Sequence, residues 1–137
     1  MVAMPSRAVV VAVANQKGGV AKTTTVASLG AAWAELGHRV LMVDLDPQAC
    51  LTFSLGYDPE DVNPSVHQVL LGEARATESI VGTEEGADLL PATIELATAE
   101  QLLLARTGRE QLLKTALKPT LPAYDLVSWT ARRPSAS

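Results

Sequence analysis

The stretch Ala14-Asn15-Gln16-Lys17-Gly18-Gly19-Val20-Ala21-Lys22-Thr23-Thr24-Thr25 constrains this chain more than any other part of it. It follows an apolar run of β type, Ala8-Val9-Val10-Val11-Ala12-Val13, and leads into a segment of helical period. Such a strand-to-helix turn is where phosphate groups bind, because unpaired amides and the positive end of the helix dipole face the same point. Gly18 and Gly19 let the backbone approach a polyphosphate closely, so that consecutive N–H groups can form an anion nest. Lys22 is placed to reach β- and γ-phosphates, the Thr23 hydroxyl can ligate a bridging Mg2+, and Thr24 adds a hydroxyl at the helix start. A glycine-rich turn with two solvated lysines is the competing account. Lys-Thr-Thr between the correct flanks speaks against it.

The remaining sequence predicts an α/β fold with a parallel sheet. The strand from about Arg7 to Ala14 reads as one buried on both faces. A helix from about Lys22 to Leu36 presents Val26, Leu29, Trp33 and Leu36 to the sheet, which makes Trp33 core rather than a base-stacking platform, and Gly37 caps it. A second buried strand, Arg39–Asp44, ends in Leu45-Asp46-Pro47-Gln48. Strand, crossover helix and strand form a right-handed unit whose ligands gather beyond the carboxyl ends of the strands. Asp44 and Asp46 are thereby expected at the same edge as the phosphate loop; turn chemistry with Pro47 is the alternative. A short helix over Ser65–Leu71, capped by Ser65 or Asn63 and ended by Gly72, comes next. It is followed by a solvated Glu84-Glu85-Gly86 loop and a third strand, Ala87–Pro91. Residues 94 to about 117 are helical in period with a break at Thr107-Gly108. There Leu96, Leu103 and Leu104 form one face and Leu112, Leu113 and Leu117 another, both expected to pack on the sheet. Tyr124-Asp125-Leu126-Val127 starts a fourth strand.

Composition narrows the functional classes. At 47% hydrophobic and 19% charged over 137 residues, the chain is one globular domain or part of one. A net charge of −4 gives no global pull toward nucleic acid or an anionic membrane. The single cysteine, Cys50, excludes an internal disulfide, suits a reducing cytoplasm and reads as a small packed side chain. His38 and His67 lack companion ligands and read as ordinary surface or packing histidines. No basic-then-apolar leader opens the sequence, and no apolar run is long enough to span a bilayer.

Lys22-Thr23 meets the end of the Walker A pattern, G-x-x-x-x-G-K-[ST], while Gln16 and Ala21 stand at its glycine positions. What remains, K-G-G-x-x-K-T with the additional Lys17, resembles the deviant Walker A motif of the ParA/MinD superfamily. The preceding Asn15-Gln16 and the D-x-D-P-Q of Asp44–Gln48 are similar to ParA/Soj rather than to MinD or the nitrogenase iron protein. Leu89-Leu90-Pro91-Ala92-Thr93-Ile94-Glu95-Leu96 extends the similarity. The resemblance implies a P-loop NTPase-like parallel sheet with flanking helices, and ATP with Mg2+ as cofactors. It implies phosphate binding by Lys17, Gly18, Gly19, Val20, Ala21, Lys22, Thr23 and Thr24, and metal binding by Thr23 with Asp44 near the Mg2+ shell. The catalytic set it implies is Lys17, Lys22 and Asp46, with Lys17 acting in trans across a homodimer and Asp46 positioning and activating the attacking water. Relatives usually carry glycine where Ala21 stands, and a Cβ there is tolerable only at negative φ. The implied role is ATP hydrolysis in chromosome or plasmid partitioning in the cytoplasm, with a centromere-binding partner protein, nonspecific DNA and no membrane. Two alternatives stand beside it. One is a nucleotide-binding remnant or interaction module without turnover; the other is a different deviant-Walker ATPase of MinD or nitrogenase-reductase type.

The resemblance covers residues 1–127. Relatives continue from Tyr-Asp-Leu-Val into an apolar strand and Asp-Cys-Pro-Pro-Ser-Leu, the Walker B equivalent, whereas Ser128-Trp129-Thr130-Ala131-Arg132-Arg133-Pro134-Ser135-Ala136-Ser137 has tail-like composition. The tryptophan codon TGG read from its last base into a threonine codon forces GAC, an aspartate. The shifted codons that follow permit Cys, Pro, Pro, Ser and Leu if the arginines use CGN. The expectation is a frame-shifted segment over 128–137, a fourth strand cut short, an apolar sheet edge left uncovered, and no Walker B carboxylate for turnover.

Overall fold

The computed structural model describes the backbone of residues 9–14, 19–45, 49–93 and 109–131, and the side chains of 26–45, 49–93 and 112–129. In chain order its elements are β1 (Val9–Ala14), α1 (Gly19–Glu35), β2 (Val40–Val43), α2 (Cys50–Ser54), α3 (Val66–Leu70), α4 (Ala76–Ser79), β3 (Val81–Gly82), β4 (Asp88–Leu90), α5 (Arg109–Leu117) and β5 (Leu126–Ala131). A 3-10 turn over Leu121–Ala123 leads into β5. The expected helical stretch over 94–108, with Leu96, Leu103 and Leu104, lies outside the described residues; α5 carries its last part.

The strands form one sheet in the order β1-β5-β2-β4-β3. β1, β5, β2 and β4 are mutually parallel, and β3 is an antiparallel edge on β4. The β1-α1-β2 crossover therefore leaves one place open between its strands, and β5 fills it. This corrects the expectation of a strand cut short at Ser128. β5 runs to Ala131, pairing residue by residue with β1 from Val9↔Leu126 to Ala14↔Ala131, and with β2 from Val40↔Leu126 to Val43↔Trp129. A ladder on both sides over Leu126–Trp129, continued on the β1 side to Ala131, partners the strand's backbone and holds Ser-Trp-Thr in the sheet despite its hydroxyls. The β3 hairpin edge was not signalled, since Val81-Gly82 is too short for a period.

Alternation along the strands divides the core into two layers. Leu41, Val43, Leu90, Val127 and Trp129 pack on one face with Val66, Val69, Leu113, Leu117 and Tyr124. Val40, Met42, Leu89 and Leu126 pack on the other with Val26, Leu51, Trp33 and Ala34. Gly30 brings α1 so close to the sheet that a Cβ there would lie 2.6 Å from Met42 Sδ. Trp33 is half-buried as core, as its place in the helical period predicts. Leu36 departs from that prediction: it lies past the last helical turn and is 72% exposed. Gly37 then turns the chain at φ +92, a conformation that favours glycine.

The amino edge of the sheet is tied by side chains. Arg39 Nη2 donates to Asp125 Oδ1 at 3.1 Å and its backbone N–H to Oδ2 at 2.8 Å, joining the entries of β2 and β5. That hydrogen bond from Arg39 holds the Asp125 carboxyl below its ordinary range. Tyr124 donates to Asp88 Oδ2 at 2.7 Å, and burial followed by this bond raises its phenol well above the ordinary value. α3 begins at Ser65, whose N–H is accepted by Gln68 Oε1 at 2.8 Å, and Gly72 follows it at φ +76.

Candidate functional site: the carboxyl edge of the sheet

β1 ends at Ala14 and α1 begins at Gly19. The helix thus starts about one turn before the expected Lys22, because Gly19-Val20-Ala21 carries no apolar period by which to read it. An α-helix leaves its first four amides without intrahelical partners, which here are those of Gly19, Val20, Ala21 and Lys22. All four belong to residues expected to bind phosphate. Ala21 sits within this helical turn, where φ is negative, so its Cβ carries no left-handed strain. Thr23 and Thr24 follow on α1, one turn in from its start. Lys17, Gly18 and Asp46 lie outside the described residues, as do Pro47 and Gln48.

Of the two expected carboxylates, Asp44 is the one the structure describes. It directly follows β2, is 0% exposed, and continues the ladder through its N–H to Leu90 O at 3.1 Å. Its Oδ2 accepts two hydrogen bonds from one residue, Thr52 N–H at 2.8 Å and Thr52 Oγ1 at 2.7 Å. Thr52 Oγ1 in turn accepts the N–H of Ala92, in the segment leaving β4, at 2.9 Å. A buried carboxylate demands such donors, since burying a charge without them costs several kcal/mol, roughly. Ala49, the N-cap of α2, has no side-chain capping bond and sits buried at φ 55. Asp44 takes over the capping role from outside the helix, because Thr52 is its third residue and its amide would otherwise have no partner.

Thr52 and the left-handed Ala49 went unread in the sequence. A signal existed for Thr52: it is a polar residue at a core position of Leu51-Thr52-Phe53-Ser54-Leu55. Ala49 carries no local signal, because alanine is not the residue that a positive φ predicts.

The oxygen donors at this edge, Asp44 and the Thr23 hydroxyl by residue type, are of the hard kind that Mg2+ prefers. Among the described residues no group of three or more His, Cys, Asp or Glu side chains could hold a metal unaided. A shared site, completed by a polyphosphate, suits this donor set better than a protein-only cage. His38 is exposed and His67 is half-buried, and neither belongs to a group of three or more such ligands among the described residues. Cys50 opens α2 and is partly buried. Among the described residues no helix is long and apolar enough to cross a membrane.

The family model of an AAA domain matches residues 8–130. The chain belongs to the AAA domain family. Within this AAA domain the match runs through β5, beyond the point at which the sequence departs from the ParA pattern. The sporulation initiation inhibitor protein Soj of Bacillus subtilis is 44% identical over 119 residues, which is 86% of this chain and 47% of Soj. The chromosome partitioning protein ParA of Caulobacter vibrioides is 42% identical over 110 residues, covering 80% of this chain and 41% of that protein. A crystal structure named cobyrinic acid a,c-diamide synthase, from Mycobacterium smegmatis with bound ADP and magnesium, superposes with a TM-score of 0.84 at 58% identity. It covers 91% of this chain, which spans 51% of that one. The AAA domain described here is therefore the N-terminal part of a ParA-type ATPase, about half the length of the relatives it matches.

Proposed function

We propose that this chain binds Mg-ATP between the β1–α1 loop and the end of β2, and that the complete protein hydrolyses it as a ParA-type dimer in chromosome or plasmid partitioning. The observation that carries this is the meeting of two features at one sheet edge. A helix N-terminus, whose first four amides have no intrahelical partners, follows β1, and a buried, doubly hydrogen-bonded carboxylate follows β2 two strands away. The ADP, magnesium and ATP analogue held by the Mycobacterium smegmatis structures support the choice of ligand.

In this reading the loop amides from Gly18 to Lys22 and the Lys22 ammonium hold the phosphates, and Thr23 with Thr24 supplies hydroxyl contacts. Lys17 reaches the phosphates of the other subunit. Thr23 would hold Mg2+ and Asp44 would face its bound waters; when bound, that ion neutralises charge developing on the transferred phosphoryl oxygens. Asp46 orients the attacking water, since in-line attack needs an acceptor on the far side of the γ-phosphate. Hydrolysis also needs groups beyond those assigned here, so binding is the activity assigned to this chain and turnover to the whole protein. A centromere-binding partner and nonspecific DNA are the expected stimulants, acting in the cytoplasm.

Calorimetric titration of folded chain with Mg-ATP tests the reading, with Lys22→Ala as control. The expected result is saturable binding weakened at least about tenfold by Lys22→Ala, the loss of a charged hydrogen bond to phosphate. Absence of heat on protein with native circular dichroism would overturn it. A second reading is favoured by the name of the 58%-identical structure, ATP-dependent diamide synthesis on a corrinoid. ATP turnover by the complete protein that responds to a corrinoid carboxylate, and not to DNA with the partner, would move the assignment there.

A further inference from the structure

One hydroxyl joins three segments at the proposed nucleotide edge. Thr52 is 0% exposed, as is Asp44. Its Oγ1 lies 2.7 Å from Asp44 Oδ2 and 2.9 Å from the N–H of Ala92. A hydroxyl has one proton to give. Ala92 N–H is a donor and occupies a lone pair of Oγ1, so the proton is left to point at Asp44. The amide of Thr52 donates to the same Oδ2 at 2.8 Å. The carboxylate is therefore gripped at one oxygen by two donors of a single residue, and that residue is anchored to the segment that leaves β4. For simple packing, a valine would fill the same space without the hydroxyl. For capping of α2, the amide alone would suffice. Neither role explains the hydroxyl relay from Ala92.

We propose that Thr52 is a positioning residue: its hydroxyl fixes the orientation of Asp44 so that the carboxylate faces the water shell of the nucleotide-bound Mg2+. The proposal rests on the Mg-ATP reading above and adds to it a residue that touches neither nucleotide nor metal. Thr52 acts through Asp44, so removing the hydroxyl leaves the charge present and held by the Thr52 amide, but without the bond that ties it to Ala92. The loss should appear in the magnesium dependence of nucleotide binding and not in the metal-free affinity, which the loop amides and Lys22 set.

The test is calorimetric titration of ATP into the full chain at a series of Mg2+ concentrations and in chelator, for wild type, Thr52→Val and Thr52→Ser, with thermal melting of each unliganded protein. Thr52→Val should need about tenfold more Mg2+ for half of the metal-dependent tightening, as expected for one hydrogen bond to a charged group. Its chelator affinity should stay within about twofold of wild type, and Thr52→Ser should recover most of the loss. In an Asp44→Asn background Thr52→Val should add little, because the two act as a unit. If Thr52→Val does not fold, Thr52→Cys, with a weak donor of similar size, is read in the same way. A wild-type magnesium profile in Thr52→Val overturns the proposal. So does equal loss with and without metal, or equal loss in the valine and serine variants. Wild type that shows no magnesium-dependent binding at all overturns the Mg-ATP reading instead.

Discussion

Ser128 offers the sharpest test of how the sheet is built. It sits in the middle of β5, with Val11 of β1 and Met42 of β2 as its register partners. The residue is 0% exposed and its Oγ has no hydrogen-bond partner among the described residues. Register places it on the α1 side of the sheet, level with fully buried Met42. A buried hydroxyl without a partner costs about 1–3 kcal/mol of desolvation. Ser128→Ala deletes that group and leaves the backbone ladder and nearly the same volume, so it should stabilise the fold by about 1–2 kcal/mol. Unfolding entropy of roughly 2.1 cal/mol/K per residue over 137 residues sums to ~0.3 kcal/mol/K, which makes the expected rise in Tm about 3–7 °C. Ser128→Val is the less clean variant, because each added methyl gains about 0.8 kcal/mol if it fits while overpacking costs about 1–3 kcal/mol. Urea unfolding followed by circular dichroism reads the change as a higher midpoint at unchanged slope. A variant no more stable than wild type would refute the reasoning: it would mean that the hydroxyl is satisfied, or that the strand leaves the sheet before Ser128 as its composition suggests.

Asp125 supplies a pH test. The hydrogen bonds from Arg39 depress its folded pKa below the ordinary 3.8, so its contribution is present above that value and is lost as pH falls through the folded pKa. Asp125→Asn should be less stable than wild type at neutral pH, with the two acid-unfolding curves converging below the folded pKa and the gap narrowing in high salt; a gap that persists in strong acid would show that charge is not its source. The shifted-frame expectation for 128–137 is checked on the encoding DNA. Ser128 Oγ and Trp129 Nε1, both buried and unpartnered among the described residues, mark the place where the sequence leaves the family pattern. We expect the other frame to encode an apolar residue, Asp, Cys, Pro and Pro in succession, and any other reading there removes the idea.

Much of this fold is local, and to that extent the sequence shows it. The valine-rich β2 is apolar on both faces because both are covered, and Gly37 and Gly72 mark helix ends by the positive φ that only glycine takes easily. The start of α1 was misplaced by a turn because glycine and alanine carry no amphipathic period. The largest miss, the fate of β5, has a non-local cause. Ser128 and Thr130 read as tail because hydroxyls are rare in buried strands, but two neighbouring strands already positioned by β1-α1-β2 offer a full ladder to whatever chain enters between them. Placement of the site was legible through Asp44, since a strand end is a local feature. Its support was not: Thr52 reaches Asp44 across an unrelated turn, and Ala92 reaches Thr52 over a sequence separation of 40.

Under the proposed Mg-ATP reading, strand order makes Asp44, and not a residue nearer in sequence to the loop, the carboxylate opposite it. With β5 between them, the ends of β1 and β2 stand two interstrand spacings apart, ~10 Å. The register Val43↔Trp129 and Ala12↔Trp129 puts Asp44 level with Val13, one residue below the point where β1 gives way to the loop. In the proposed site, that separation is the room for a ligand carrying its own negative charge. In that reading the amides that open α1, with Lys22, attract phosphate on one side, while a carboxylate on the other repels it unless a cation lies between. Under the Mg-ATP reading, pairing a cationic loop with an anionic strand end, one strand apart, would select a metal-bound polyphosphate over a free one. That selection depends on β5 being in place, so the polar strand that looks least like part of this domain is the one that sets the width of its site.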